Sequence, residues 1–115
     1  MKARRGNLFE PLPAVIAEEA VERLWGRAGV RVERIVSRGH ASADGFWYDQ
    51  AEDEWVCLLE GRATLAFEDA PPLTLARGDW LLIPARVRHR VLATSDPAVW
   101  LALFVDVDEA ADGQA

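Results

Sequence analysis

From Val30 onward the chain is cut into short apolar runs by turn residues at close, even spacing, and this pattern admits few folds. The runs are Val30 to Ser37, Phe46 to Gln50, Glu54 to Glu60, Arg62 to Glu68, Leu73 to Leu75, Trp80 to Ile83, His89 to Thr94 and Ala98 to Val105. Between them stand Gly39, Asp44-Gly45, Gly61, Pro71-Pro72, Gly78-Asp79, Pro84 and Asp96-Pro97. Val, Ile and aromatic side chains suit a pleated surface, and Gly, Pro and Asp supply the turns. No stretch between the runs has room for a crossover helix. The pattern therefore predicts an all-β sandwich or barrel and excludes a parallel sheet wrapped in helices. No internal repeat is visible.

At 115 residues, half of them hydrophobic, the chain suffices for one domain with an ordinary core. Its formal net charge of -6 includes no basic block, so nucleic acid is not an expected partner. Nor is a membrane, since no apolar run approaches the roughly 20 residues of a spanning helix. The basic start MKARRGNLFEPLP lacks the apolar stretch of a secretory signal. Cys57 is the single cysteine, which rules out an internal disulfide and suits a reducing compartment. A cytoplasmic location is expected.

Ahead of the β region, Pro11 and Pro13 favour an extended arm over Asn7 to Pro13. Ala17, Val21, Leu24, Trp25 and Ala28 then recur at helical spacing, with Glu18, Glu19, Glu22 and Arg23 on the other side. This predicts one short amphipathic helix, stopped by Gly26 and Gly29 and packed outside the barrel. The expected organisation is an arm and helix over 1–29, the β domain over 30–105, and an acidic, frayed tail over 106–115.

Two segments carry more than generic β character: Gly45 to Gly61 (GFWYDQAEDEWVCLLEG) and Gly78 to Val91 (GDWLLIPARVRHRV). Together they resemble the two signature motifs of the cupin superfamily, G-x5-H-x-H-x3-4-E-x6-G and G-x5-P-x-G-x2-H-x3-N. Glu54 and Gly61 match the end of the first motif; Gly78, Pro84 and His89 match the second. The short intermotif segment, Arg62 to Arg77, is of the length common in small bacterial cupins. The resemblance implies a cupin-type jelly-roll β-barrel with the short N-terminal helix outside and a site inside the barrel. The departures are specific. The two histidines of the first motif are replaced by Tyr48 and Gln50, or by Trp47 and Asp49 at the longer spacing. Arg86 stands for the second-motif glycine, and Ala93 for its terminal asparagine. Members with the full set hold a divalent transition metal through three histidines and the glutamate, so the resemblance implies a weak or atypical metal site here, with Glu54, His89, Gln50 and Asp49 as candidate ligands.

Alternation along the strands places Glu54 inward with Val56 and Leu58, and Trp55, Cys57 and Leu59 outward. Counting back from Glu54 turns Tyr48 and Gln50 inward as well, unless a bulge at Ala51 to Asp53 reverses the register in favour of Trp47 and Asp49. His89 should face inward, followed by Val91 and Ala93. An inward carboxylate is costly without a cation or donors, so Glu54 reads as a ligand or general base, the alternative being a solvated glutamate at the strand start. His89 can ligate a metal, move a proton or bond a ligand, or it is a satisfied core histidine. Tyr48, Gln50, Trp47 and Arg86 are the candidate substrate-binding residues. His40, in a loop and off the motif, reads as an exposed histidine, with a second-ligand role as the alternative.

The functional expectation is a small-molecule-binding cupin, with an atypical divalent metal as its candidate cofactor. The alternatives are an isomerase or oxygenase using Glu54 and His89 as catalytic groups, and a non-catalytic effector sensor. The strand Ala98 to Val105 is apolar on both faces, so one face needs cover beyond the barrel, and a homodimer is expected.

Overall fold

The computed structural model describes residues 2–14 and 17–107. Most of the acidic tail thus lies outside the described residues. Asp106 does not begin a tail but ends the last strand, where its amide donates to the Gly29 carbonyl.

Eight strands follow in order: β1 (Ala20–Arg27), β2 (Val30–Ser37), β3 (Glu52–Glu60), β4 (Arg62–Phe67), β5 (Ala70–Ala76), β6 (Trp80–Ile83), β7 (His89–Thr94) and β8 (Ala98–Asp106). They form a five-stranded sheet, β1-β2-β8-β3-β6, and a three-stranded sheet, β5-β4-β7, with every pairing antiparallel. Apart from the β1–β2 and β4–β5 hairpins, strands adjacent in sequence from β3 onward lie in opposite sheets, as in a jelly roll. The crossing from β3 to β4 turns on Gly61, at φ +90°, where a Cβ would collide with the Ser95 hydroxyl and the Pro97 carbonyl. Only glycine fits there.

The expected N-terminal helix is instead β1. Gly29, at φ 81°, is not a helix stop but half of the two-residue Ala28-Gly29 turn of a hairpin, with Arg27 opposite Val30. An isolated helix of about twelve residues is marginal in water, whereas a strand satisfies the whole open edge of β2. Glu22 accordingly pairs across the hairpin with Arg34 at 3.0 Å, rather than along a helix. The β domain therefore begins at Ala20. The expected strand Phe46 to Gln50 is likewise absent. Only Tyr48 makes a bridge there, to His89; on either side single hydrogen bonds, from the Ser42 amide to the Val91 carbonyl and from the Arg86 amide to the Gln50 carbonyl, hold the segment without forming a ladder.

Register sorts the five-stranded sheet into two faces. Inward rows run Ile35–Trp100–Leu58, Glu33–Ala102–Val56–Leu81 and Arg31–Phe104–Glu54–Ile83. With Ala63, Leu65 and Leu75 of the opposite sheet they enclose the core. Outward rows run Val32–Leu103–Trp55–Leu82 and Arg34–Leu101–Cys57–Trp80. The arm residues bind the outer face at its β2 end, where Arg34 donates to the Pro11 carbonyl and Arg38 to that of Pro13. Val91 faces inward as expected and Leu92 outward, but at Ala93 the alternation fails. A bulge between Thr64 and Leu65 of β4 sets Leu65 against Val91 and Thr64 against Ala93, so Ala93 is exposed.

Candidate functional site

Glu54 enters the barrel on β3, between Phe104 and Ile83 on the neighbouring strands, and His89 opens β7 on the facing sheet. Both are buried, at 9% and 5% exposure, and His89 Nε2 stands 3.6 Å from Glu54 Oε1. His89 Nδ1 lies 2.9 Å from the Val87 carbonyl. A carbonyl can only accept, so Nδ1 carries a proton and Nε2, facing Glu54, is the nitrogen that titrates. Gln50 Nε2 donates to the same Glu54 oxygen at 3.2 Å. Burial disfavours the imidazolium, but the Glu54 hydrogen bond, the Val87 carbonyl and the Glu54 charge outweigh it, holding His89 above its ordinary 6.5.

Tyr48 stacks on the His89 ring at 5.3 Å between centroids, and the two residues exchange backbone hydrogen bonds of 2.7 and 3.2 Å. Burial raises the Tyr48 phenol above its ordinary 10.0, with Glu19 and Glu54 adding to the effect, so the hydroxyl remains a donor. Tyr48, Gln50, Glu54 and His89 all line a cavity of about 220 Å³ that runs into the barrel between the sheets. Its floor is apolar, with Ile35, Val56, Leu65 and Trp100.

Trp47, Asp49 and Arg86, expected as site residues, do not line this cavity. Trp47 lies beneath the guanidinium groups of Arg88 and Arg90, and Asp49 pairs with Arg86 at 3.3 Å on the surface. Arg86 itself sits at φ 68°, in the left-handed region, which is the physical reason a glycine serves at that motif position. His40 is tied into its own loop: its Nδ1 accepts from the Arg38 amide at 2.8 Å and its carbonyl from Thr94. Cys57 faces outward, half-buried.

The cavity also contains charged residues that sequence reasoning missed. Glu19, read as the solvent side of a helix, lines the barrel mouth beside Val21, and so do Arg31 and Glu33 on β2. A period-two reading of Glu19-Ala20-Val21 and of Arg31 to Ile35 would have aligned these side chains on one face.

The donors do not suit a metal. Among the described residues no group of three His, Cys, Asp or Glu side chains converges to hold an ion. Tyr48 and Gln50 occupy the positions where the resemblance implies histidines. Gln50 spends its amide on Glu54, and Asp49 is turned away to Arg86. One imidazole and one carboxylate fall short of the three or four ligands a transition metal takes. The expected divalent metal has no ligand set here.

Comparison with known proteins places this geometry in a family. The cupin-domain profile matches residues 36–104. No curated protein matches the chain. Among solved structures, a "putative mannose-6-phosphate isomerase" from Ralstonia eutropha JMP134 is 44% identical, with a TM-score of 0.88 over 91% of this chain and 100% of that one. A cupin superfamily protein from Desulfitobacterium hafniense DCB-2 shares the fold at 18% identity, with a TM-score of 0.71 over 84% of each chain. A cupin-family protein with a double-stranded β-helix fold from Methanocaldococcus jannaschii does so at 17% identity, with a TM-score of 0.66 over 89% of this chain and 93% of that one.

Proposed function

This chain belongs to the cupin domain family, and we propose that it is a small-molecule-binding member whose Glu54–His89 pair holds a small polar ligand inside the barrel. The observation that carries the reading is that pair, buried at 3.6 Å in the wall of a cavity of about 220 Å³. Burying a carboxylate and an imidazole costs desolvation that their attraction offsets only in part, so they contribute little to folding. Beside a cavity they offer an acceptor, a donor and a movable proton. The volume is below the roughly 300 Å³ at which sites for drug-sized molecules begin, which favours a compact ligand. A fragment panel of neutral, anionic and cationic small molecules, followed by amide and imidazole NMR shifts, tests this. Saturable shifts at Tyr48, Glu54 and His89 are expected, and shifts confined to the surface would reject the reading.

A second reading is proton transfer on a carbohydrate, in line with the isomerase name of the 44%-identical Ralstonia protein. Proton abstraction next to a carbonyl needs a base that can return the proton, and a neutral His89 or the Glu54 carboxylate has that capacity. Exchange of substrate hydrogen with deuterated solvent, lost in His89→Gln, is the expected sign of it.

We also propose that a second copy of the chain covers the outer face of the five-stranded sheet. Trp80 and Leu82 are exposed there, Trp80 stacks on Trp55 at 6.2 Å, and Leu101 and Leu103 continue the two apolar rows. A sheet face of this kind is self-complementary about a two-fold axis. Light scattering should give twice the chain mass at micromolar concentration, falling to the single-chain mass in Trp80→Ser/Leu82→Ser; a monomeric wild type would refute it.

A further inference from the structure

The cavity wall is unusually acidic for a barrel that would take a phosphorylated sugar. Glu19, Glu33 and Glu54 line it, and the only cationic groups among the described lining residues are Arg31 and His89. Neither is available to an anion. Arg31 is held by both Glu33 and Glu52, and its guanidinium carbon stands over the Phe104 ring, 4.0 Å from its centroid. His89 faces Glu54. A phosphate entering this cavity would meet carboxylates and would have to break existing ion pairs to find a partner.

Glu19 is different from the other acids. No cation pairs with it among the described residues, yet its carboxylate is fixed by a relay through the sheet. Trp100 Nε1 donates to the fully buried Ser37 hydroxyl, and that hydroxyl donates to Glu19 Oε2, each at 3.2 Å. Both Glu19 and Glu54 lie close enough to act on the Tyr48 phenol, whose ring lines the cavity. Two carboxylates and an aromatic ring around one space form a receptor for a positive charge. The chain already shows the chemistry once, in the Arg31 guanidinium set between carboxylates over Phe104.

We propose that the barrel selects a small protonated amine over phosphorylated ligands, with Glu19 and Glu54 as its anionic partners and Tyr48 as its aromatic wall. This rests on the reading of the barrel as a ligand site and assigns the ligand's charge. Calorimetry and NMR on the full chain with ethanolamine, mannose and mannose 6-phosphate as probes test it at low and moderate salt. Ethanolamine should shift Tyr48, His89 and Trp100 saturably and bind at least tenfold more tightly than mannose, with mannose 6-phosphate the weakest. Its affinity should fall as salt rises. Glu19→Gln should weaken ethanolamine about tenfold and leave mannose unchanged, while Glu19→Lys should raise mannose 6-phosphate above mannose. If mannose 6-phosphate binds the wild type more tightly than mannose does, the charge assignment falls and the ligand site stands. If ethanolamine leaves the barrel resonances unmoved, the assignment also falls, and the fragment panel then decides separately whether the barrel is a ligand site at all.

Discussion

Each face of the five-stranded sheet contributes a buried charged residue to an ion pair, Arg34 on the outer face and Glu54 on the inner, and the two pairs are built differently. On the outer face Arg34 meets Glu22 at 3.0 Å, with the arginine side chain 9% exposed and the glutamate 57% exposed. Arg34 also donates to the Pro11 carbonyl, so it fastens the N-terminal arm and β1 to β2. On the inner face Glu54 and His89 are 11% and 6% exposed, so both ends are largely buried, and both border the cavity. A pair with one end in water and the other bonded to backbone is a fastening, since its ion pair and its bond to Pro11 both tie chain to chain. A buried pair beside a cavity leaves the second Glu54 oxygen for a guest, the first being engaged by His89 and Gln50. The outer pair also borders open space, a cleft of about 390 Å³ beside the N-terminal arm, so neither buried charge nor a cavity by itself marks a site; the inner pair differs in that both of its members are buried and line an apolar-floored cavity between the sheets.

The largest expected effect separates the pairs by binding. Glu54→Gln and His89→Gln should each lower affinity for the barrel ligand about a hundredfold, or about 3 kcal/mol, since a charge-assisted hydrogen bond to the guest is lost. Their melting temperatures should stay within a few degrees of wild type, because glutamine keeps the shape of Glu54 and, at position 89, keeps an amide donor for Glu54, and the pair contributes little to folding. If both variants bound as wild type does, the inner pair would be as purely structural as the outer one.

Arg34→Met should do the opposite. Loss of its bonds to Pro11 and Glu22 should cost about 1 kcal/mol of stability and leave ligand binding unchanged. No buried charge is orphaned, as Glu22 is solvated. Limited proteolysis should cut the arm before Pro13 faster in this variant, and an unaltered cleavage rate would show that the pair does not hold the arm.

The smallest effect is in pH. His89 titrates above 6.5 in the folded state, so its contribution to stability is fully present below pH 6.5 and is lost as pH rises through the folded value. The groups facing it are Glu54 from β3 and the Tyr48 phenol, which remains neutral over this range. Arginine stays charged throughout, so the outer pair should add no slope between pH 6 and 9. Denaturant titrations of wild type and His89→Gln across this window should differ by that slope alone. Parallel curves would mean that the imidazole does not gain a proton on folding.

The β region was legible because its strands are half-buried and punctuated. Glu54, Val56 and Leu58 alternate inward as period two demands, and glycine and proline mark the turns. Tyr48 and Gln50 face the cavity as counting back from Glu54 expects, although they lie ahead of β3, beyond a bend at Ala51, and not on a strand. The segment 17–28 was not legible. Its apolar residues satisfy a helical period, while the reason it is a strand lies elsewhere, in the unpaired edge of β2.

Sequence alone thus determined seven of the eight strands expected from Val30 onward, the motif spacing, and the two residues, Glu54 and His89, that meet in the barrel. These are local matters of pattern and turn chemistry. Only the tertiary structure decided that Glu19, Arg31 and Glu33 face the same cavity, that Asp49 and Arg86 pair outside it, and that the metal ligand set is incomplete. Each of these depends on which strand lies beside which. A hydrogen-bonded edge can recruit whatever segment reaches it, so the charge of the barrel wall is set by pairing across the sheet and not by any one stretch of chain.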